Sequence, residues 1–229
     1  MSGRAVYYLS VYSLLFLAFG ILWLFIFFRG AFQGGKALYL TPIGTGAIAF
    51  MIALPLQTLL QTYANSLLAS MGASMLVTGA VVVLISGFVQ EAFKLLAIRI
   101  NRFATWGKLS WLPLGLAVGL GFGIWEAWRL VAWPFGKSGI WMPLAVIERF
   151  SAIGLHIALA FIIAYGSHRS QPWPYFLLAG FWHGAVNFLA ILYQGRFIGI
   201  WLTEAGIFFM AIAALAVAGW LYRRALVTE

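Results

Sequence analysis

Gly87-Phe88-Val89-Gln90-Glu91-Ala92-Phe93-Lys94 sets a carboxylate and an amine inside an apolar run that extends from about residue 72 to 98. A run longer than the ~20 residues needed to cross the hydrocarbon core reads as a membrane-spanning helix. An ionisable group at that depth costs about 3 kcal/mol or more, which makes it a marker of function by default. Few other ionisable or imidazole side chains lie at depth: Glu126, Glu148, Arg149, His156, His183 and Glu204.

The composition agrees with a membrane setting. The 229 residues are 64% hydrophobic and 8% charged, with a mean hydropathy of +0.98, whereas about a quarter of an ordinary soluble domain is charged. Seven apolar runs are long enough to span, at roughly 5–28, 43–63, 72–98, 111–132, 143–166, 173–193 and 197–222. The first has no small-residue cleavage site after it and is read as a span, not as a signal peptide. The expected fold is therefore all-α: a polytopic membrane helix bundle in one integral domain, 1–229. Eleven Trp and nine Tyr suit interfacial belts. No basic cluster is interleaved with aromatics on a soluble surface, so the net charge of +9 points to anionic lipid and not to nucleic acid. Cysteine is absent, which excludes disulfides and thiolate metal ligands.

Lys and Arg divide unequally between the two sets of span ends. Arg29, Lys36, Arg99, Arg102, Lys108, Arg169, Arg223 and Arg224 lie on one side, and Arg4, Arg129, Lys137 and Arg196 on the other. The richer side is expected to be cytoplasmic, with the N-terminus outside and the C-terminus inside. The basic loop Arg99 to Lys108, with Trp106, is expected to lie on headgroups.

Several patterns concern helix packing. Gly115, Gly119 and Gly123 recur every four residues, which lets a neighbouring backbone come close. Gln57, Gln61 and Asn65 form a polar stripe on the second span, read either as helix–helix hydrogen bonding or as the wall of a groove for an extended peptide. Glu126 and Arg149 fall at matching depth and are expected to pair. Lys94 shares a helix face with Glu91 and is expected to pair with it or to reach the interface. Glu148 is expected to point elsewhere, Glu204 to stand alone, and His168 to sit solvated in a loop.

At 1.5 Å per residue, Glu91 lies roughly 12 Å, and His156 and His183 roughly 15 Å, from the inner ends of their spans. Asn187 is one turn from His183. A carboxylate, two imidazoles and a carboxamide thus share one depth. The carboxylate and an imidazole can activate water while the others stabilise an oxyanion. Alternatively, His156, His183 and a glutamate, with Glu126 the candidate, hold a metal such as zinc and leave one position open. Both arrangements suit hydrolysis of a peptide bond.

Four segments in order, Gln-Glu-Ala-Phe-Lys (90–94), Gly-Leu-Gly-Phe-Gly-Ile-Trp-Glu (119–126), Glu-Arg-Phe-Ser-Ala-Ile-Gly-Leu-His (148–156) and His-Gly-Ala-Val-Asn (183–187), resemble a superfamily of intramembrane proteases. It includes the CAAX prenyl endopeptidases, the bacteriocin-processing proteases, PrsW and YhfC, and the resemblance is closest to the PrsW and YhfC branches. It covers about residues 80–190, the expected catalytic core. The resemblance implies a glutamate-dependent or metal-dependent intramembrane peptidase, and the depths above set its expected cleavage of a membrane-anchored peptide or protein near the cytoplasmic side. It implies that Glu91 and His156 activate water, that His183 and Asn187 bind the oxyanion, and that Glu126 is a ligand or a support. The family's first motif is a double glutamate; here Gln90 stands in the first of the two positions. The superfamily also contains scaffolds, such as the Aph subunit of gamma-secretase. The rival expectations are thus a catalytically inactive scaffold or chaperone of the same fold, or a proton-coupled transporter of a small ligand. The expected location is a bacterial or archaeal cell membrane, with oligomeric state left open.

Overall fold

The computed structural model describes residues 2–32, 39–106 and 109–228. Lys36 and Lys108, counted in the charge asymmetry, lie outside the described residues. Seven long helices follow one another: α1 Gly3–Phe27, α2 Leu40–Ser70, α3 Met75–Ala104, α4 Trp111–Ala127, α5 Pro143–His168, α6 Pro172–Gln194 and α7 Ile200–Thr228. Each is long and apolar enough to cross a membrane, α4 together with the turns that continue it. This is the expected all-α membrane bundle.

Local signals set the helix starts. Ser2 and Ser74 cap α1 and α3 through their hydroxyls, at 3.2 Å from Ala5 N and 3.4 Å from Val77 N. Pro143 and Pro172 open α5 and α6, where a missing N–H leaves nothing unsatisfied. The fourth span departs from expectation. The sequence suggests a connection from Trp133 to Met142, but the chain continues from α4 as a π-helix, Trp128–Gly136. Pro134 lies within it, lacks the donor an α-helical ladder would need, and is accommodated by the wider turn. Trp125 stacks on Trp128, and Trp133 meets Trp128 at a tilt, at 5.2 and 5.3 Å between ring centres.

The helices form a centre and a ring. Of the most apolar stretches of α4 and α5, 72% and 78% are buried, against 22% for α1, α2 and α7. α4 packs on α5, α2 and α3, while α5 also meets α7, α6 and α1. α1 is fastened to the start of α5. Tyr12 Oη donates to Ile140 O and accepts from Met142 N, at 3.0 and 2.9 Å, and Trp23 Nε1 donates to Phe150 O at 2.8 Å.

Two glycines decide how closely the site-bearing helices meet. A Cβ on Gly119 would lie 2.6 Å from His156 O, so α4 rests directly on the backbone of α5. A Cβ on Gly87 would collide with Gly180 O and come within 2.8 Å of Gly184 N, so α3 and α6 touch backbone to backbone. The stripe Gly115, Gly119 and Gly123 is thus a packing surface, as its spacing suggests.

Gly119→Val is expected to lower the melting temperature of the detergent-purified protein, by about 1–3 kcal/mol of overpacking strain. Gly44→Ala, where a Cβ meets nothing within 4 Å, is the control and is expected to melt as the wild type does. Differential scanning fluorimetry compares the two.

Candidate active site

The two close helix pairs bring four titratable side chains to one level. α3 supplies Glu91, α4 Glu126, α5 His156 and α6 His183, all buried. α3 runs on to Ala104, beyond the end read from the sequence. At 1.5 Å per residue, Glu91, His156 and His183 therefore lie about 17 to 20 Å from the Ala104, His168 and Pro172 ends of their helices, near mid-bundle. The sequence-based depths of 12 to 15 Å are too shallow because the spans were cut short.

Two carboxylate–imidazole pairs stand side by side. In the first, Glu91 Oε1 accepts from Lys94 Nζ at 2.6 Å and lies 2.7 Å from His183 Nδ1. Glu91 and Lys94 are both wholly shielded, and Lys94 Nζ also lies over the Phe122 ring at 4.9 Å. In the second, Glu126 Oε2 is hydrogen-bonded to His156 Nε2, with Arg149 Nη1 3.6 Å from the same oxygen. The imidazoles of His156 and His183 meet edge to face at 5.2 Å. The expected partnerships Glu91–Lys94 and Glu126–Arg149 are present. The resemblance implies that Glu91 works with His156; the hydrogen-bonded partners are Glu91 with His183 and His156 with Glu126.

Two expectations about Glu148 and Glu204 are corrected. Glu148 does not point elsewhere; it pairs with Arg149 Nη2 and lines the same cavity. The adjacent position was expected on another face, but the long guanidinium side chain reaches it. Glu204 does not stand alone, because it lies within electrostatic reach of Glu148 and Arg149. His168 closes α5 and is not in a loop.

A cavity of about 160 Å³ borders the histidines, with room for several waters. His156, His183, Asn187, Glu126, Glu148 and Arg149 give it a polar side; Leu130, Leu155, Val186 and Ile207 give it an apolar one. Leu130, Glu148, Ala190 and Ile207 all lie past the histidines toward the end of the bundle where α1 starts, so the cavity extends that way.

The donor set fits a metal ion. Glu91, His156 and His183 each offer an atom within 4.8 Å of the others. The sequence-based set was His156, His183 and Glu126; the three side chains grouped here have Glu91 in place of Glu126. Glu126 takes the outer place on His156 instead, as carboxylates do behind ligating imidazoles. With Glu126 ionised, His156 Nε2 donates to it, and Nδ1 is left with its lone pair. That Nδ1 and Glu91 Oε2 are buried without a hydrogen-bond partner, a penalty of about 1–3 kcal/mol each that a cation would relieve. Two imidazoles and one carboxylate with a position open to a cavity are the donors of a catalytic zinc-type site.

Sequence reasoning missed Ser86, which accepts from Asn187 Nδ2 at 3.3 Å. A lone serine in an apolar helix carries no signal of its own; only its place one turn before Gln90 would have drawn notice.

Comparison with known proteins agrees with the resemblance read from the motifs. No curated protein and no solved structure matches the chain. The sequence model of the YhfC intramembrane metalloprotease family matches residues 137–207, from the end of the π-helix through α5 and α6 into α7. That segment carries Arg149, His156, His183 and Asn187, and over it the chain is similar to this family.

Proposed function

We propose that the protein is a metal-assisted intramembrane peptidase that hydrolyses a peptide bond of a membrane-anchored protein or peptide, with zinc as the ion. The observation that carries this reading is the trio Glu91, His156 and His183, drawn from three helices, with both histidines bordering a small cavity and Glu91 buried behind them. The similarity of residues 137–207 to intramembrane metalloproteases supports it.

Glu91, His156 and His183 would hold the ion, which supplies Lewis acidity toward water and the scissile carbonyl. Lys94 anchors Glu91 and Glu126 anchors His156, so both ligands present fixed donors to the ion. Arg149 balances Glu126 and Glu148 at the cavity wall. The Asn187 amide, one turn beyond His183, has an N–H to donate to the carbonyl oxygen as negative charge develops there. Leu155, Val186 and Ile207 line the cavity with apolar surface suited to a side chain of a lipid-soluble substrate.

The sequence reading set cleavage near the cytoplasmic side; here it is revised. The three candidate ligands lie near mid-bundle, and the cavity extends toward the end that the Lys and Arg count assigns to the outside. The proposed access is from that end.

Elemental mass spectrometry of detergent-purified protein is expected to find about one zinc per chain, lost in the His156→Ala/His183→Ala double variant and in Glu91→Ala. A folded wild type without any metal would remove the ion from the proposal. Terminal-peptide mass spectrometry of membranes from cells making the wild type is expected to reveal new protein ends. These ends should vanish with Glu91→Ala, His156→Ala or His183→Ala in folded protein, and fall about 10²- to 10³-fold with Asn187→Ala, the usual effect of removing one oxyanion donor. Unchanged ends with the three alanine variants would leave the scaffold reading in its place.

A further inference from the structure

Five polar side chains from α2, α3 and α6 form one line. Gln61 Nε2 donates to the main-chain carbonyl of Val82 at 2.9 Å, Gln57 Nε2 to Gln61 Oε1 at 3.4 Å, and Gln90 Nε2 to Gln57 Oε1 at 2.9 Å. Gln90 Nε2 also reaches Ser86 Oγ at 3.5 Å, the longest link, and the same oxygen accepts from Asn187 Nδ2 at 3.3 Å. Ser86 and Gln90 are buried, and Asn187 lines the cavity. This line ties the half of α2 beyond Ala53 to α3. Beyond Ala53, no residue of α2 is buried, and Gln57 and Gln61 supply its side-chain hydrogen bonds to α3.

A carboxamide can turn its oxygen and nitrogen about, so a run of them has no direction unless a fixed group sets one. Val82 O is such a group, because a main-chain carbonyl only accepts. Gln61 must offer it the NH₂ and keep its oxygen for Gln57. Gln57 must then offer its own NH₂ to Gln61 and its oxygen to position 90. Whatever stands at 90 must donate. A carboxylate there would set oxygen against oxygen, whereas glutamine supplies the donor at the same length.

We infer that Gln90 is a positioning residue: as an obligatory donor in a relay whose direction is set at Val82, it holds Ser86, and through Ser86 the carboxamide of Asn187 at the cavity wall. With one Nδ2 hydrogen committed to Ser86, the other and Oδ1 remain for the cavity. The use of a fixed Asn187 on a substrate carbonyl rests on the peptidase reading; the relay itself does not.

The test reads the relay without a substrate. The chain has three histidines, so ¹⁵N-histidine labelling gives three imidazole signatures, with His168 at the end of α5 as the internal reference. Asn187→Ala identifies the shift of His183 that follows loss of the neighbouring amide. Gln90→Met and Gln90→Glu are each expected to move the His183 signals in the same sense, to leave His168 in place, and to lower the melting temperature. Adding Gln61→Met removes the group that turns toward Val82, so Gln57 is free to offer its NH₂ to a carboxylate at 90. The Gln61→Met/Gln90→Glu pair should therefore return to the state of Gln61→Met alone, while Gln61→Met/Gln90→Met should not. If Gln90→Glu does not fold, the pair with Gln61→Met still should. Three outcomes would overturn the inference: His183 signals unmoved by Gln90→Met, a melting loss in both Gln90 variants without a His183 shift, or no relief of Gln90→Glu by Gln61→Met. Failure of the zinc and cleavage measurements with this pattern intact would remove the peptidase reading and keep the relay.

Discussion

A charge buried in a bilayer protein has no water to fall back on, and the centre of this bundle is arranged around that constraint. Glu91 and Lys94 are both wholly shielded and 2.6 Å apart. Breaking such a pair by removing one partner is worth about 3–5 kcal/mol. Their pairing fixes the Glu91 carboxylate on α3, and His183 on α6 then meets it at 2.7 Å. The same logic holds one helix pair away, where Arg149 and His156 of α5 share a single oxygen of Glu126 on α4. Each carboxylate is thus both an anchor for an imidazole and a charge that needs a cation. Hydrophobic packing cannot supply this order, because lipid solvates apolar helices as well as other helices do.

The glycines are the steric counterpart of these pairs. Hydrogen bonds between side chains on neighbouring helices need the axes close, and a Cβ at Gly87 or Gly119 would push those axes apart. α3 touches α6, and α4 touches α5, where the paired residues stand within two turns of the contact. Small residues and ionisable ones are therefore parts of one device: the first set the distance, and the second use it. The family match begins near Lys137 and takes in α5 and α6, but neither α3 nor α4. The carboxylate halves of both pairs thus lie outside the matched segment, and their part in the site is argued from geometry alone.

Much of this was legible in the sequence, and what was not has a physical cause. Seven spans follow from length and hydropathy, because bilayer thickness is a fixed ruler. That Glu126 would find Arg149 follows from depth, since rise per residue hardly varies. Rotation about a helix axis is a different matter. Which imidazole faces Glu91 depends on where α6 sits around α3, and no periodicity reports that. Glu148 illustrates the limit. Its neighbour Arg149 was expected to leave it behind, yet guanidinium reach outweighed the angle between adjacent positions. The π-helical continuation of α4 was hidden for another reason: Gly136 and Pro134 read as breakers, and a wider helical turn is the option that such residues rarely signal.

Gln90 shows how a departure from a family pattern can be weighed by hydrogen-bond direction instead of by resemblance. Read beside a double-glutamate motif, it looks like a lost carboxylate. Beside Gln57, Gln61 and Val82 O, it is a neutral donor of the length the position needs, and it donates without taking up a proton. Glu91 already has its cation in Lys94, and a second adjacent carboxylate, facing the oxygen of Gln57, would have none. In lipid an unpaired charge and an unpaired acceptor are both expensive. The amide at 90 avoids the unpaired charge and satisfies the oxygen of Gln57 at the cost of its own Oε1, which is buried without a partner, and it leaves the single carboxylate of α3 as the one that meets His183.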